Sequence, residues 1–281
     1  MKLKLLFLAA AIITCMHFAQ AQTDSTAKPD FIQPVTAANM YDTIQPNLQA
    51  HGYLKNNIQW NATAILFKSY NFSYERSITR KISVVASYRF MPSTKVGAIP
   101  VGKKIFDKIS DEENDNVDIK ESVVSNQAFT AEVRFYGGKH PGARGFYFSV
   151  YGRYGNFTTD YPYEYEDETG SMYSIPLQVK ANGFCGGIGI GAQWLIAKRV
   201  TLNWYILGAQ YGGLNGTING VADLSSMSAE DQQNLQEEIN ELIGVNSKQY
   251  IDATVSDNGV TGTVKGPFLG LRGGISIGIA F

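Results

Sequence analysis

Apolar and polar side chains alternate with a period of two along most of this chain. The last stretch, residues 267–281, shows it most clearly, because its apolar positions run to the final Phe281. Such alternation indicates β-strands with one apolar and one polar face. The first predicted strand continues from Ile58 to Leu66. The eight segments that alternate in this way begin their apolar faces at Ile58, Tyr70, Ile82, Phe129, Phe146, Phe184, Val200 and Leu269.

The connectors between these segments fall into two sets. Those after the second, fourth and sixth strands are short, and cover residues 77–81, 137–144 and 197–199. Those after the third, fifth and seventh strands are long, and cover residues 92–126, 156–181 and 213–266. The first connector, around Lys68, is a tight hairpin at the long-loop end. Short turns at one end and long loops at the other are typical of bacterial outer-membrane barrels.

The polar face of the strands distinguishes a membrane barrel from a soluble one. A soluble lipocalin-like barrel or a sandwich also alternates, with its apolar face turned inward and its polar face solvated. The polar face here contains no Lys and consists of Gly, Ser, Thr, Asn and Gln with a few Arg and Glu. Such a face suits a crowded, enclosed lumen. We therefore predict an all-β fold, an eight-stranded antiparallel up-and-down transmembrane β-barrel with long external loops, with the soluble barrel as the alternative.

The first residues predict export. Lys2 and Lys4 precede an apolar run, and Ala19 and Ala21 form a cleavage signal, so residues 1–21 are predicted to be a signal peptide. Removal of the two lysines leaves 22 basic and 25 acidic side chains, a net charge of −3, which gives no indication of nucleic-acid binding. Only Cys185 remains, so an intramolecular disulfide is excluded. We expect an N-terminal periplasmic segment over residues 22–56, with a segment that enters the lumen as the alternative, and the barrel over residues 57–281.

The end of the chain also carries a family resemblance. A cleavable signal, eight alternating strands and the terminal pattern Ile277, Ile279, Phe281 resemble the small outer-membrane barrels of the OmpA/OmpX type. Residues 70–76, with 81–83 and 88–92, are similar to uncharacterised Gram-negative outer-membrane barrel domains. The resemblance implies that the terminal strand is read by the outer-membrane assembly machinery. It also implies the outer membrane of a Gram-negative bacterium, with lipid and lipopolysaccharide as neighbours, and we expect a monomer.

Charged residues on the predicted lumen face form the first candidate site. An eight-stranded barrel is just wide enough for side chains to fill, so these groups should pair with one another and with Tyr151 and Tyr205. The structural hypothesis is a salt-bridged plug, and the functional one is a gated ion path. The six residues are Glu75, Arg89, Glu132, Arg134, Arg153 and Arg272.

The long loops form the second candidate site. In the third loop, acids alternate with tyrosines before a turn near residues 169–171, a surface for a divalent cation, a glycan or a partner protein, or merely a solvated rim. The residues concerned are Tyr161, Tyr163, Tyr165, Glu164, Glu166 and Asp167. The fourth loop is predicted to hold a helix over residues 229–243, with Ser228 as its N-cap and an apolar stripe of Leu235, Ile239, Leu242 and Ile243. A shorter basic helix around residues 103–109 could pack against it as a lid.

The sequence gives little support for catalysis. After processing, the only histidines are His51, before the first strand, and His140, in a short periplasmic turn. The glycines Gly187, Gly189 and Gly191 lie on one strand face and do not have the spacing of a phosphate-binding loop, so they are predicted to make room inside the barrel. We expect no catalytic or metal site and no cofactor. A structural or surface-interaction role is the first hypothesis, a narrow channel the second and an enzyme the last.

Overall fold

The structure is a computed structural model that describes residues 53–100, 119–167, 169–242, 244–245 and 248–281. The predicted signal peptide, most of the segment 22–56, His51 and the predicted basic helix around residues 103–109 lie outside the described residues. The strands are β1 (Asn56–Asn61), β2 (Tyr70–Ser77), β3 (Ile82–Lys95), β4 (Val123–Tyr136), β5 (Gly145–Glu166), β6 (Met172–Leu195), β7 (Val200–Val221), β8 (Gly244–Val245), β9 (Lys248–Gln249), β10 (Ile251–Ser256), β11 (Gly259–Pro267) and β12 (Gly270–Ala280). In the described ranges, no helix is both long and apolar enough to cross a membrane.

Eight of these strands close into an antiparallel barrel. Strands β1 to β7 pair in sequence order, and β12 pairs with both β7 and β1. Ile279 of β12 lies opposite Ile58 of β1, and Ile277 lies opposite Leu202 of β7. The predicted fold class is therefore confirmed, and the last strand is the one that closes the barrel.

The two faces of the barrel wall are inverted relative to a soluble protein. The inward face buries polar side chains, including Gln59, Ser83 and Asn203. The outward face exposes large apolar ones, and Phe146 is 70% exposed. Soluble folds bury their apolar side chains, so this inversion excludes the soluble barrel as an energetically reasonable alternative. We call the outward set the apolar belt; it includes Ile58, Phe72, Phe129, Phe148, Phe184, Ile188, Trp204, Ile275, Ile277 and Ile279.

The prediction for the first strand is wrong beyond Asn61. Residues Ala62–Phe67 form a 3₁₀ helix instead of continuing the strand to Leu66. The Asn61 side chain accepts a hydrogen bond from the Ala64 N–H at 3.1 Å, and Lys68 ends the helix with a φ of 51°. An Asn side chain that bonds to a nearby backbone N–H offers the chain an alternative to the strand ladder. The barrel wall is therefore short at β1 and β2, which have 6 and 8 residues.

The opposite side of the wall rises well above the barrel. Strands β5, β6 and β7 have 22, 24 and 22 residues, about twice what a tilted crossing of a membrane needs. Strand β11 pairs with the upper part of β7, and β10 pairs with β11 at the edge. We call the upper parts of β5, β6 and β7 together with β10 and β11 the outer sheet. The prediction that residues 213–266 are a connector missed β10 and β11. Their hairpin turn, Asp257-Asn258 followed by Gly259, was a usable signal, because Asn-Gly favours tight β-turns.

The predicted helix of the fourth loop is present as α1 (Ala229–Glu241), two residues shorter than expected. Ser228 is its N-cap, and its Oγ accepts a hydrogen bond from the Asp231 N–H at 3.1 Å. Leu235 and Ile239 of the helix are fully buried. They pack against apolar residues of β5, β6, β7, β10 and β11. These residues lie on the face of the wall that, nearer the membrane-spanning part of the barrel, lines the lumen.

Candidate functional site

The lower lumen is organised around the buried carboxylate of Glu75. It accepts hydrogen bonds from Ser83 Oγ at 2.5 Å, Tyr136 Oη at 2.7 Å and Gln193 Nε2 at 3.0 Å. Gln59 Nε2 donates to Gln193 Oε1 at 2.8 Å, which extends the network to β1. These contacts join five strands across the barrel, so the lumen is filled with directional bonds at this height.

A chain of ion pairs continues above Glu75. Arg134 lies 3.4 Å from Glu75 and 2.7 Å from Glu132, and Arg272 lies 3.5 Å from the other oxygen of Glu132. All four side chains are buried or nearly so. Charges in such an environment are costly unless they are paired and hydrogen-bonded. The structure thus brings together four of the six predicted lumen charges in one connected cluster.

Tyrosines surround the guanidinium groups of this cluster. The Arg134 guanidinium carbon lies 4.6 Å from the Tyr147 ring centroid, and that of Arg272 lies 4.4 Å from Tyr151 and 4.6 Å from Tyr205. Stacking over an aromatic face stabilises a desolvated cation. The site therefore depends on aromatic residues as much as on carboxylates.

The three glycines of β6 that share one face make room for these tyrosines. A Cβ atom at Gly189 would lie 2.0 Å from the Tyr205 hydroxyl oxygen, and one at Gly191 would lie 2.4 Å from the Tyr147 hydroxyl oxygen. At Gly187 it would lie 2.7 Å from the Tyr151 hydroxyl oxygen. The structure agrees with a space-making role and shows which side chains use the space.

Arg89 and Arg153, the remaining two predicted charges, lie higher in the lumen. Both are buried, and Arg89 donates from Nη2 to Asn126 Oδ1 at 2.6 Å. They line a cavity of about 60 Å³ together with Arg272 and Glu132. A water needs roughly 10–15 Å³ of such space, so the cavity has room for a few waters.

An aromatic contact lies between this cavity and the outer sheet. The ring of Phe157 from β5 meets that of Phe268 edge to face, with centroids 5.3 Å apart. Phe268 is almost completely buried, and its N–H donates to the Gly212 carbonyl oxygen at 2.8 Å. Above these rings the inner face becomes apolar and packs against α1. The lumen therefore changes from ionic to aromatic to aliphatic along its axis.

The third-loop residues divide between the two faces of β5. Tyr161 and Tyr163 belong to the buried cluster under α1, and Tyr165 packs against it and donates to the Asp231 carbonyl oxygen at 3.4 Å. Burial and the nearby Glu238 carboxylate raise the pKa of Tyr163 well above its ordinary value. The tyrosines thus hold the outer sheet to the helix rather than face solvent.

The acidic residues of the same loop are placed differently. Glu164 and Glu166 are exposed on the opposite face of β5. Asp167 accepts hydrogen bonds from the Thr169 hydroxyl at 2.6 Å and from the Ser171 and Thr169 N–H groups at 2.8 and 2.9 Å. These bonds, that of the hydroxyl first, lower the pKa of its carboxyl group. Asp167 therefore shapes the turn. Interaction of this loop with a ligand stays a prediction. The exposed side chains that a ligand could contact there are those of Glu164 and Glu166.

The terminal residues lie as their alternation predicts. Ile277 and Ile279 point outward and are exposed, and Phe281 is about half exposed. Phe281 is tied to Asn56 by reciprocal backbone hydrogen bonds of 2.8 and 2.9 Å. Their reading by the assembly machinery stays a prediction.

The described residues offer no metal-binding group of three or more His, Cys, Asp or Glu side chains. His140 is exposed in the turn between β4 and β5. Sequence reasoning missed the neutral lumen residues Gln59, Tyr136, Tyr147, Gln193 and Asn203, which carry much of the network. The strand parity that selected the charges also selects these five positions, so the signal was present.

Comparisons with known proteins add little to this geometry. No protein-family model and no curated protein matches the sequence. The crystal structure of Acinetobacter baumannii CarO2 is similar with a TM-score of 0.32 and 7% identity, over 81% of this chain and 98% of that chain. A similarity this low says nothing about function. The closed barrel with its inverted faces defines the class, a β-barrel membrane fold with an outer sheet at one end.

Proposed function

We propose that this protein is a non-enzymatic outer-membrane β-barrel of a Gram-negative bacterium, with a structural or surface-interaction role. The observation that carries the proposal is the inversion of its faces, apolar outside and ionic inside. Lipid can satisfy an apolar wall, and closure of the barrel leaves no unpaired strand edge in the hydrocarbon layer.

The filled lumen supports a role at the surface over transport. The Glu75 network, the ion-pair chain and the Phe157–Phe268 contact occupy successive heights of the barrel. An eight-stranded barrel leaves little space beyond such side chains. Among the described residues, the outer sheet with α1 is the part beyond the filled lumen that other molecules on that side can reach.

The exposed surface of the outer sheet is acidic. Among the described residues of 156–183 and 207–269, eight acidic but only two basic side chains are exposed, whereas the net charge of the whole chain is −1. Glu164 and Glu166 lie on the face of β5 that α1 does not cover. A partner that binds there is a cationic surface, or an anionic one bridged by divalent cations.

Orientation in the membrane can be tested by labelling intact cells. Single cysteines replace Gln233 on α1 (Gln233→Cys) or Lys198 in the β6–β7 turn (Lys198→Cys), both exposed, in a chain with Cys185→Ala. We expect a membrane-impermeant maleimide to label the first variant in intact cells and the second only after the outer membrane is permeabilised. The reverse order, or equal labelling of both, contradicts the proposed placement.

The surface role has its own test. Cells that display the protein are assayed for adhesion to immobilised matrix proteins and glycans, with Glu164→Gln/Glu166→Gln as the variant and exposed Asp252→Asn as the control. We expect the variant to lose most adhesion and the control to keep it. If cells with the wild-type protein, the double variant, the control variant and no protein all adhere equally, the surface-interaction role is contradicted.

A narrow anion channel is the second candidate, favoured by the cavity that Arg89, Arg153 and Arg272 line. Planar-bilayer recordings separate it from the sealed barrel. We expect no reproducible single-channel steps from the wild-type protein. Anion-selective steps that change with Arg89→Gln support the channel instead.

A further inference from the structure

Exposed basic side chains surround the end of the barrel opposite to α1. We define the basic collar as Lys55, Arg80, Lys139, Lys198 and Arg199, all of which are exposed. They come from the residue before β1 and from the β2–β3, β4–β5 and β6–β7 turns. The collar is therefore distributed around the whole rim and is not a local cluster.

The rim offers the collar no acidic side chain. Residues 53–56, 76–82, 136–145 and 195–200 contain eight Lys or Arg and no Asp or Glu. Among the described residues, no ion pair joins a collar side chain to a carboxylate. Two further bases at this rim are already engaged, since Lys81 donates to the Gly138 and His140 carbonyl oxygens and Arg76 donates to Asn56.

The charge separation along the barrel axis is large. The outer sheet carries an excess of acidic side chains, and the charged side chains of the rim segments are all basic, while the chain as a whole is close to neutral. A uniform surface would mix the two signs. Separation of this kind indicates that the collar end faces a surface of negative potential.

Apolar side chains in the same turns show where that surface lies. Ile78 is 57% exposed beside Arg80, and Ile196 is 63% exposed beside Lys198. Both continue the apolar belt to the rim. A basic group next to an apolar anchor suits the depth of lipid headgroups, where a long side chain can keep its charge in the polar layer. A purely aqueous acidic partner would leave the two isoleucines in water.

We propose that the basic collar binds the phosphate groups of anionic glycerophospholipids in the inner leaflet of the membrane. This inference rests on the proposed membrane placement. The collar side chains donate to the phosphate oxygens while Ile78 and Ile196 lie among the upper acyl carbons. Each Lys or Arg near an anionic surface contributes up to about fivefold in affinity. The protein thus selects its lipid neighbours at the periplasmic face.

Energy transfer from the protein to labelled lipid tests the proposal. The protein is reconstituted in phosphatidylethanolamine vesicles with a trace of pyrene-acyl phosphatidylglycerol or pyrene-acyl phosphatidylethanolamine. Trp194, exposed at the belt near this rim, is one of the three tryptophan donors. We expect phosphatidylglycerol to be enriched around the wild-type protein, and this enrichment to fall as the salt concentration rises.

Two matched triple variants locate the effect. The collar variant carries Arg80→Gln, Lys139→Gln and Lys198→Gln, and the control removes three exposed bases outside the collar with Lys95→Gln, Lys180→Gln and Lys265→Gln. We expect the collar variant to lose roughly tenfold or more of the preference for phosphatidylglycerol. The control should keep the preference within about twofold, because its bases lie beyond a Debye length from that leaflet.

The outcomes separate the collar from the placement. If transfer to labelled phosphatidylethanolamine is absent, the protein is not in the bilayer, and both the placement and the collar inference fail. If that transfer is present without a preference for phosphatidylglycerol, or if both triple variants behave alike, only the collar inference is overturned. Loss of the preference when inorganic phosphate replaces chloride at equal ionic strength would identify free phosphate as the ligand, and also overturns it.

Discussion

At the scale of single residues, Glu132 connects most of the lumen charge. Its two oxygens pair with Arg134 and Arg272, and each guanidinium also stacks on a tyrosine. Loss of this carboxylate charge removes the carboxylate with which Arg272 pairs among the described residues, and leaves Arg134 with the 3.4 Å pair to Glu75. A buried ion pair that loses one partner is far more costly than an exposed one.

We therefore expect Glu132→Gln to lower the free energy of unfolding by about 3–5 kcal/mol. The control is Glu121→Gln, because Glu121 forms an exposed pair with Lys95 and should cost at most about 1 kcal/mol. Urea unfolding in detergent micelles, followed by tryptophan fluorescence, measures both. Equal effects of the two substitutions would show that the lumen pairs are not the stabilising ones.

The glycines of β6 allow a second residue-scale prediction. A Cβ at Gly191 would lie 2.7 Å from the Trp204 carbonyl oxygen, which cannot move without the strand, whereas the nearest atom to a Cβ at Gly186 is 4.0 Å away. We expect Gly191→Ala to destabilise by about 1–3 kcal/mol and Gly186→Ala to be near neutral. The same urea unfolding compares them. A neutral Gly191→Ala would mean that the lumen is looser than described.

Asp167 predicts a pH dependence of the outermost turn. Its pKa is lowered by the bonds from Thr169 and Ser171, so the stabilisation is complete above the unfolded-state pKa of about 4 and is lost as the pH falls through the lower folded-state pKa. Amide NMR shifts of Thr169 and Ser171 should therefore change only at pH values below about 4. The variant Asp167→Asn should show no such transition. A midpoint above 4 in the wild-type protein contradicts the argument.

At the scale of elements, α1 protects the free edge of the outer sheet. Strand β10 pairs with β11 on one side, and no other strand of the described ranges pairs with it. On the other side, Asn240 accepts from the Ala253 N–H at 2.7 Å, and Gln236 accepts from the Val255 N–H at 3.1 Å. Unprotected edges pair with other chains, so a helix whose side chains occupy the edge limits aggregation.

We expect Asn240→Ala to open this edge. Loss of its hydrogen bonds should cost about 1–3 kcal/mol locally and speed hydrogen exchange at Ala253. Gln233→Ala is the control, because Gln233 is exposed on the same helix and its side chain donates to Glu237, away from the β10 edge. Exchange mass spectrometry of residues 251–256 measures the difference. Equal exchange in both variants would assign protection of the edge to another contact.

The sequence predicted correctly those elements whose buried and exposed side chains repeat with a regular period along the chain. The alternation located all eight barrel strands, and the helix was found from its apolar stripe and Ser228. The 3₁₀ helix at Ala62–Phe67 was missed because Ala62, Ala64 and Leu66 fit a strand as well, and the decisive Asn61 cap is a single local bond. The burial of Tyr161 and Tyr163 was missed because it depends on α1, which lies far along the chain.

At the scale of the whole molecule, the two ends of the barrel axis differ in charge. A basic rim, an ionic lumen, an aromatic contact and an acidic outer sheet follow one another. The sequence predicted that the lumen charges pair with one another and with Tyr151 and Tyr205, as Arg272 does. It did not predict which charge meets which, since pairing across a barrel depends on register and closure. The central claim that joins these layers is that the apolar belt contacts lipid.

Spin-label accessibility along β12 tests this claim most directly. Single cysteines at residues 275–280, in a Cys185→Ala chain, carry a nitroxide label in reconstituted protein. We predict oxygen accessibility maxima at positions 275, 277 and 279, with little exposure to a water-soluble nickel chelate, and low values of both at 276, 278 and 280. Nickel-chelate maxima at positions 275, 277 and 279, or no period of two, would contradict a membrane-embedded barrel.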